Sequence, residues 1–199
     1  MTGRWTDVVV VGGGIAGSAL ATGLARRGLG VTMLEQQREY QDRVRGEYLP
    51  VWGVCEAQRL GLADVLFSTG GVVVRWRLPY DEAWPAEIAV ASARDNARIL
   101  PGVPGSYCGS HPAACRALSR AAEDAGAVVV RGVSGVHVRP GRRPEVNYSG
   151  PGGEQRLRCR LIVGADGRRS VVREQAAIPL HTAPPTHLIS GLLVDGAPE

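Results

Sequence analysis

The 199-residue chain contains no lysine, so all 23 of its basic residues are arginines. They are scattered along the sequence, and adjacent pairs occur only at Arg26-Arg27, Arg142-Arg143 and Arg168-Arg169. The chain also has a single phenylalanine, and its aromatic residues do not alternate with basic ones. A nucleic-acid-binding protein gathers its basic residues on one face or in one run. The composition therefore argues against nucleic acid as a partner, despite a net charge of +4.

Cysteine is scarce as well, with four residues and no Cys-x-x-Cys pair. Cys108, His111 and Cys115 stand close enough in sequence to supply three zinc ligands. A structural zinc site takes four ligands, no fourth candidate stands nearby, and Pro112 interrupts the segment. We therefore expect free, buried or half-buried thiols and no metal site. Such cysteine usage fits a reducing compartment, so we expect a cytoplasmic protein.

The longest apolar stretch, Val8 to Ala25, is interrupted by three consecutive glycines and is preceded by Asp7. The core of a signal peptide or a membrane-spanning helix seldom carries such a break. A strand, a glycine turn and a helix explain the stretch better. We therefore predict no targeting segment and no membrane partner.

The same stretch begins a strand–helix–strand unit. Asp7 to Val11 is a short β-branched run of the kind that is buried on both faces of a sheet. Gly14 to Arg27 has small and apolar residues at helical spacing, and Gly28 supplies a stop. Val31 to Leu34 then indicates a second strand that ends at Glu35.

Beyond Glu35, periodicity and turn residues predict a further set of elements. The predicted loop covers 36–46, the predicted helices 54–60 and 111–125, and the predicted strands 72–78, 86–91, 127–131, 133–139, 145–148, 155–164 and 187–194. Gly61 and Gly126 are expected to end the two helices.

A Gly-x-Gly-x-x-Gly motif stands between the first strand and its helix, formed by Gly12, Gly14 and Gly17 with Ile15 and Ala16 between the last two. Gly12 allows a tight turn, Gly14 lets the backbone approach a pyrophosphate, and Gly17 lets the helix pack closely on the strand. The pyrophosphate would lie at the helix N-terminus, beside Ile15 and Ala16, where free N–H groups favour an anion. The motif therefore predicts a dinucleotide site.

Glu35 stands at the end of the second strand, where a dinucleotide-binding unit carries an acidic residue. Its carboxylate can accept hydrogen bonds from ribose hydroxyls. It would also repel a 2′-phosphate, which favours FAD or NAD over NADP as the bound dinucleotide. A glycine turn with a surface glutamate is the simpler alternative, and the motif alone does not separate FAD from NAD.

The segment Leu161 to Arg173 resembles the second signature of the class A flavoprotein monooxygenases. In that family an apolar strand runs into Asp-Gly, followed by serine and arginine at the spacing of Ser170 and Arg173 here. The resemblance implies that FAD occupies the glycine motif, and that Asp166 and Gly167 lie beside the flavin and its nicotinamide reductant. Taken alone, Asp-Gly is an ordinary turn pair and Ser170 is a good N-cap for a following helix.

Two further positions follow from the resemblance. The family carries an arginine that reaches the FAD just past the second strand, which corresponds to Arg45 here, with Arg43 as the second choice. A guanidinium can bind phosphate or flavin oxygens with two hydrogen bonds, and a solvated charged loop is the alternative. His111 stands where many relatives have arginine nearby, and we interpret it as an ordinary helix-start residue.

The resemblance implies an α/β protein with a Rossmann-type FAD-binding βαβ domain and part of a β-rich substrate domain. We assign residues 1–70 and 111–175 to the FAD-binding domain and residues 71–110 and 176–199 to the substrate domain. Family members continue through a Gly-Asp motif and a closing helix, so we expect this chain to correspond to an N-terminal half. Uncovered apolar surface should then favour self-association, with weak FAD binding and no NAD(P)H-dependent oxygen uptake by the chain alone.

The implied reaction begins when transiently bound NAD(P)H reduces FAD. A flavin hydroperoxide then transfers one oxygen atom to an aromatic or other electron-rich small molecule. In such chemistry the protein supplies position, polarity and water exclusion, and no residue is singled out as a general acid or base. A flavin-dependent halogenase would need a lysine, which the chain lacks. An FAD-dependent polyprenyl reductase and an inactive truncated fragment that binds adenine nucleotides are the remaining alternatives.

Overall fold

The computed structural model describes residues 4–42 and 48–186. The chain divides into two compact units. Unit 1 contains Met1–Gln41 and Cys115–Leu192, and unit 2 contains Asp42–Ala114 and Leu193–Glu199. The strand predicted over 187–194 lies outside the described residues, as do Arg43 and Arg45.

In chain order the strands are β1 (Arg4–Trp5), β2 (Val8–Val11), β3 (Val31–Glu35), β4 (Tyr48–Leu49), β5 (Val72–Val74), β6 (Trp76–Arg77), β7 (Arg94–Asp95), β8 (Ser106–Cys108), β9 (Val128–Arg131), β10 (Ser134–Arg139), β11 (Glu145–Gly150), β12 (Gly153–Arg158) and β13 (Leu161–Gly164). The helices are α1 (Ile15–Ala25), α2 (Val51–Arg59), α3 (Ala63–Phe67), α4 (Ala86–Ala91), α5 (His111–Asp124) and α6 (Val171–Gln175), with a short 3-10 helix at Asn96–Arg98. Among the described residues, no helix has both the length and the apolar character that crossing a membrane requires.

Unit 1 is built on a four-stranded parallel sheet in the order β13-β2-β3-β9. The central strands β2 and β3 are buried along their whole length, as expected for parallel strands that are covered on both faces. On one face their side chains pack against alanines of α1 and α5, and on the other face they pack against a second sheet. The predicted strand–helix–strand unit is confirmed.

The second sheet of unit 1 has the order β1-β12-β11-β10, with β1 parallel to β12 and the other pairs antiparallel. Val146 and Leu157 point from it into the core that it shares with the parallel sheet. The side chain of Gln175, the last residue of α6, contacts β10. Its Oε1 accepts the Val138 N–H at 2.6 Å, and its Nε2 donates to the Val136 carbonyl at 3.1 Å.

Unit 2 contains the antiparallel sheet β4-β8-β5 and the two-stranded pair β6-β7. Its buried side chains include Val51 and Val54 of α2, together with Leu66 of α3 and Tyr107 of β8. Helix α2 begins one turn earlier than predicted. It is followed by Gly61 in a left-handed conformation with φ +64°, which agrees with the predicted helix end.

The strand predicted over 86–91 is wrong, because this segment is helix α4. Pro85 stands before its first residue with φ −56°, and its carbonyl accepts the Ile88 N–H at 3.0 Å. Alanine and glutamate are strong helix formers. Glu87 also stands in the first turn, where the helix dipole favours a negative charge. The local preference for helix is therefore stronger than the β propensity of Ile88 and Val90.

Two other predicted strands are divided. The segment 155–164 is divided into β12 and β13, which belong to different sheets. The chain changes sheet at Arg160 and Leu161, whose N–H groups both donate to the Asp7 carbonyl, at 3.0 and 3.1 Å. The segment 72–78 splits into β5 and β6 at Arg75, whose carbonyl accepts the Asn96 N–H at 2.8 Å. The helix predicted over 111–125 is confirmed as α5. So are the strands predicted over 127–131, 133–139 and 145–148, which are β9, β10 and β11.

Candidate cofactor site

The glycine turn between β2 and α1 passes directly against the segment that follows β13. Gly12 has φ +103°, and a Cβ on it would lie 2.8 Å from the Asp166 nitrogen and would overlap the Ala165 carbonyl. A Cβ on Gly17 would overlap the Gly12 carbonyl oxygen. Packing within the protein therefore requires glycine at both positions. It also places the Gly-x-Gly-x-x-Gly turn against the backbone of the segment that contains Asp166.

Gly14 differs from these two glycines. It is the N-cap residue of α1 with φ −69° and ψ −171°, a conformation open to any residue. Apart from Gly14 itself and its two chain neighbours, no heavy atom of the described residues lies within 4 Å of the position that its Cβ would take. The protein leaves this space free at the N-terminus of α1, where Ile15, Ala16 and Gly17 begin the helix. A pyrophosphate fits such a place, because the first N–H groups of a helix favour an anion.

Glu35 ends β3 beside the glycine turn and is only 6% exposed. Its Oε2 accepts the Gly13 N–H at 2.6 Å, and its Oε1 accepts the Gln37 N–H at 2.7 Å. An ionised carboxylate offers about four lone-pair sites, so these two bonds leave capacity for two ribose hydroxyls. The two backbone donors fix the carboxylate in orientation.

Tyr40, which no sequence motif marks, also supports the turn. Its hydroxyl donates to the Gly13 carbonyl at 2.5 Å, and Ser18 Oγ donates to the same oxygen at 2.9 Å. The Arg131 guanidinium lies over the Tyr40 ring at 4.9 Å and donates to Ser119 Oγ at 2.7 Å. Burial raises the pKa of Tyr40, which keeps the hydroxyl protonated as a donor. No local motif marks these residues, since they meet only in the fold.

Asp166 and Gly167 form a turn in front of α6. Asp166 Oδ1 accepts the Ser170 hydroxyl at 2.6 Å and Oδ2 accepts the Val172 N–H at 3.1 Å, while Gly167 has φ +84°. Ser170 Oγ in turn accepts the Arg173 N–H at 3.0 Å, so the predicted N-cap is confirmed. The Asp166 carboxylate is thus oriented by α6, and its backbone nitrogen faces Gly12.

Of the remaining candidates, Cys115 lies near this cluster, since its thiol interacts with the backbone of Ile15 and with the charge of Glu35. Arg45 and Arg43 lie outside the described residues. His111 is the first residue of α5. Cys108 stands at the end of β8, and Cys115 is buried on α5, where burial raises the pKa of its thiol to about 11. Within residues 4–42 and 48–186 no group of three His, Cys, Asp or Glu side chains could hold a metal ion.

Comparison with known proteins supports a flavin site. The family described as FAD binding domain matches residues 5–194. The 3-demethoxyubiquinol 3-hydroxylase of Escherichia coli (strain K12) is 31% identical over 187 residues, which cover 91% of this chain and 46% of that protein. Digeranylgeranylglycerophospholipid reductase 2 of Methanothermobacter thermautotrophicus is 30% identical over 177 residues, covering 86% of this chain and 42% of that protein.

Among solved structures, OxyS anhydrotetracycline hydroxylase from Streptomyces rimosus superimposes with a TM-score of 0.76 at 22% identity, over 92% of this chain and 36% of that one. This likeness confirms the expected α/β fold. The chain spans less than half the length of each of these proteins.

Proposed function

Because the chain belongs to the FAD binding domain family, we propose that it is the cofactor-binding part of a flavin-dependent monooxygenase. Such an enzyme inserts one oxygen atom into an aromatic or other electron-rich small molecule and oxidises NAD(P)H in the reaction. The observation that carries the proposal is the free space at Gly14 beside the oriented carboxylate of Glu35. The likeness to a ubiquinol hydroxylase over 91% of the chain supports the oxygen-transfer chemistry.

The bound flavin supplies the redox chemistry, accepting a hydride and activating dioxygen. The residues of this chain bind and orient it. The N-terminus of α1, from Gly14 onward, holds the pyrophosphate, and Glu35 accepts the ribose hydroxyls. Gly12 and Gly17 keep the turn close to the Asp166 backbone, so that the Asp166–Gly167 turn borders the same cofactor.

The reductant in this proposal is NADH or NADPH that binds transiently near Asp166. The chain carries a single Gly-x-Gly-x-x-Gly motif, and FAD uses it. Among the described residues, which include all four cysteines, no disulfide forms, and this supports a reducing compartment such as the cytoplasm.

A reductase of prenyl double bonds is the second candidate, favoured by the similarity to the digeranylgeranylglycerophospholipid reductase. The two candidates differ in their use of oxygen. The test uses the product of the complete reading frame that contains these residues, reconstituted with FAD and supplied with NADPH and a candidate substrate. A monooxygenase consumes one dioxygen for each NADPH when its substrate is present. Anaerobic turnover with a prenyl substrate, at the same rate as in air, would contradict the proposal and favour the reductase.

A further inference from the structure

Positive charge is concentrated in one part of unit 1. The stretch from Arg139 to Arg160 holds six arginines against two acidic residues, a net charge of +4 that equals the charge of the whole chain. It begins at the last residue of β10 and runs through β11 and β12. Val146 and Leu157 of these strands point into the core. Because successive side chains of a strand alternate between its two faces, their charged neighbours point to the outer side of the sheet.

Strand pairing places four of the outer side chains in one row. Arg139 of β10 pairs with Glu145 of β11, which pairs with Arg158 of β12. Arg158 in turn lies beside Trp5 of β1, which is 61% exposed. Neighbouring strands are about 4.8 Å apart, so the row spans about 14 Å. The cations and the indole of this outer side form what we call the arginine face, which consists of Trp5, Arg139, Arg156 and Arg158, with exposed Arg142 and Arg143 in the turn before β11.

Glu145 holds three of these arginines in place and is itself only 4% exposed. Its Oε1 accepts a hydrogen bond from Arg139 Nη2 at 2.6 Å, and its Oε2 is bound by Arg156 Nη2 and lies 3.7 Å from Arg158 Nε. The hydrogen bond from Arg156 is the main reason that the pKa of Glu145 is lowered, so the carboxylate stays ionised. One carboxylate offers about four acceptor sites, whereas each guanidinium carries five N–H donors. The three arginine side chains, which are 44–68% exposed, therefore present unused donors and surplus positive charge.

A surface of the opposite character lies in unit 2. Residues 78–93, which we call the acidic segment, contain no basic residue and include helix α4. Two large aromatic side chains of this segment are also exposed, Tyr80 at 71% and Trp84 at 58%. Carboxylates bind guanidinium groups with charge-assisted hydrogen bonds, and aromatic rings stack on them. The segment offers both kinds of group, since its three exposed carboxylates belong to Asp81, Glu82 and Glu87.

We propose that the arginine face of one copy of this chain docks on the acidic segment of a second copy. The face contributes its surplus charge and the indole of Trp5, and the segment contributes carboxylates and aromatic rings. Tryptophan, tyrosine and arginine are the residue types that contribute most to binding at protein interfaces. Nucleic acid also carries the required negative charge, but the chain itself holds a surface that matches in charge and in aromatic groups. The contact lies outside the cofactor site, so the inference is independent of the proposed function.

The experiment measures association of the 199-residue chain by sedimentation velocity over a range of concentrations, without FAD. The chain should associate in 0.1 M NaCl and at least about tenfold more weakly in 1 M NaCl, because the Debye length falls from about 10 Å to about 3 Å. The face variant carries Arg142→Glu and Arg143→Glu, which spare the arginines that hold Glu145. The segment variant carries Glu82→Arg and Glu87→Arg. Each should weaken association at least about tenfold.

The matched control carries Glu123→Arg and Asp124→Arg, which make the same change of charge at exposed positions of α5. It should associate within about twofold of the parent chain. An equal mixture of the face variant and the segment variant is the sharpest test. One intact interface remains possible in this mixture, between the arginine face of the segment variant and the acidic segment of the face variant. The mixture should therefore form a one-to-one complex at concentrations where each variant alone is monomeric, which also shows that both variants fold.

Four results would overturn the proposal. The parent chain could stay monomeric in 0.1 M NaCl, or its association could be equally strong or stronger in 1 M NaCl, as expected of contacts between apolar surfaces alone. The mixture of the two variants could stay monomeric. Finally, a short double-stranded DNA could bind the parent chain more tightly than a second copy does and fail to bind the face variant, which would assign the arginine face to nucleic acid.

Discussion

The glycine turn of unit 1 and the tryptophan groove of unit 2, an open cavity lined by Trp52 and Trp76, are held in shape by different kinds of atoms. The turn is made of backbone, and its neighbours leave no room for a side chain at Gly12 or Gly17. The groove is made of side chains, and its largest members, Trp52 and Trp76, are more than half exposed. Substitutions should therefore act in an all-or-none manner in the turn and in a graded manner in the groove.

The largest effects are expected from two glycines of the turn, for different reasons. Gly17→Ala places a methyl group on the Gly12 carbonyl and should lower the free energy of unfolding by about 1–3 kcal/mol or more. Gly14→Val places its side chain in the space left free for the pyrophosphate, so it should abolish FAD binding. Its cost to folding should be only about 1 kcal/mol, that of a poorer N-cap.

Denaturant unfolding and titration of FAD fluorescence separate the two outcomes. FAD affinity that is unchanged in Gly14→Val would contradict the assignment of the site. If Gly14→Val and Gly17→Ala lower the free energy of unfolding by the same amount, the space at Gly14 is needed for folding and is not reserved for a ligand.

A smaller loss is expected from Glu35→Ala. Its carboxylate orients the Gly13 N–H and has capacity left for ribose hydroxyls. The substitution should weaken FAD binding by about 1–3 kcal/mol, the range for hydrogen bonds to a charged group. Glu35→Gln is the matched control, because it keeps the size and one acceptor while it removes the charge. It should raise the affinity for 2′,5′-ADP relative to ADP, and equal ratios in both proteins would argue against ribose recognition by Glu35.

Tyr40→Phe removes the hydroxyl that donates a hydrogen bond to the Gly13 carbonyl. It should weaken FAD and ADP by about 0.5–1.5 kcal/mol and leave adenosine unaffected, because only the phosphates depend on the shape of the turn. Tyr148→Phe, in the core shared by the two sheets of unit 1, is the control for general loss of stability. Equal weakening of adenosine and ADP would mean that Tyr40 has no positioning role.

The turn could be predicted from the sequence and the groove could not, for a physical reason. Gly12, Gly14 and Gly17 are set by local backbone geometry, which is repeated wherever a strand, a turn and a helix meet. Tyr48 and Ser106 come together only through the pairing of β4 with β8, across many residues of chain. The wrong prediction of a strand over 86–91 is an error in local structure, because the helix propensity of this segment is stronger than its β propensity. The contact between Tyr40 and Arg131 could not be predicted from the sequence either, because no spacing rule relates the two residues.

A further contrast between the two units concerns their cysteines. Cys115 is buried in unit 1 with a pKa raised to about 11, whereas Cys55 and Cys108 of unit 2 are partly exposed. A thiol whose folded pKa exceeds its ordinary value of 9.0 stabilises the fold below about pH 9, and the contribution is lost as the pH rises towards 11. Urea unfolding at pH 8 and pH 10.5 should show a smaller pH dependence in Cys115→Ala than in the parent chain. An equal pH dependence would contradict the shifted pKa, and a disulfide-exchange reagent should modify Cys55 and Cys108 first.

The side-chain amide of Gln175 has a consequence for encounters between copies of the chain. Strand β10 is the outermost strand of its sheet, and an outermost strand offers backbone groups to which a foreign strand can add. At Val136 and Val138 those groups are already occupied, because the amide imitates the peptide group of a neighbouring strand. An incoming strand would have to displace the end of α6 before it could pair there. The contact therefore opposes the addition of a foreign strand at Val136 and Val138 of β10.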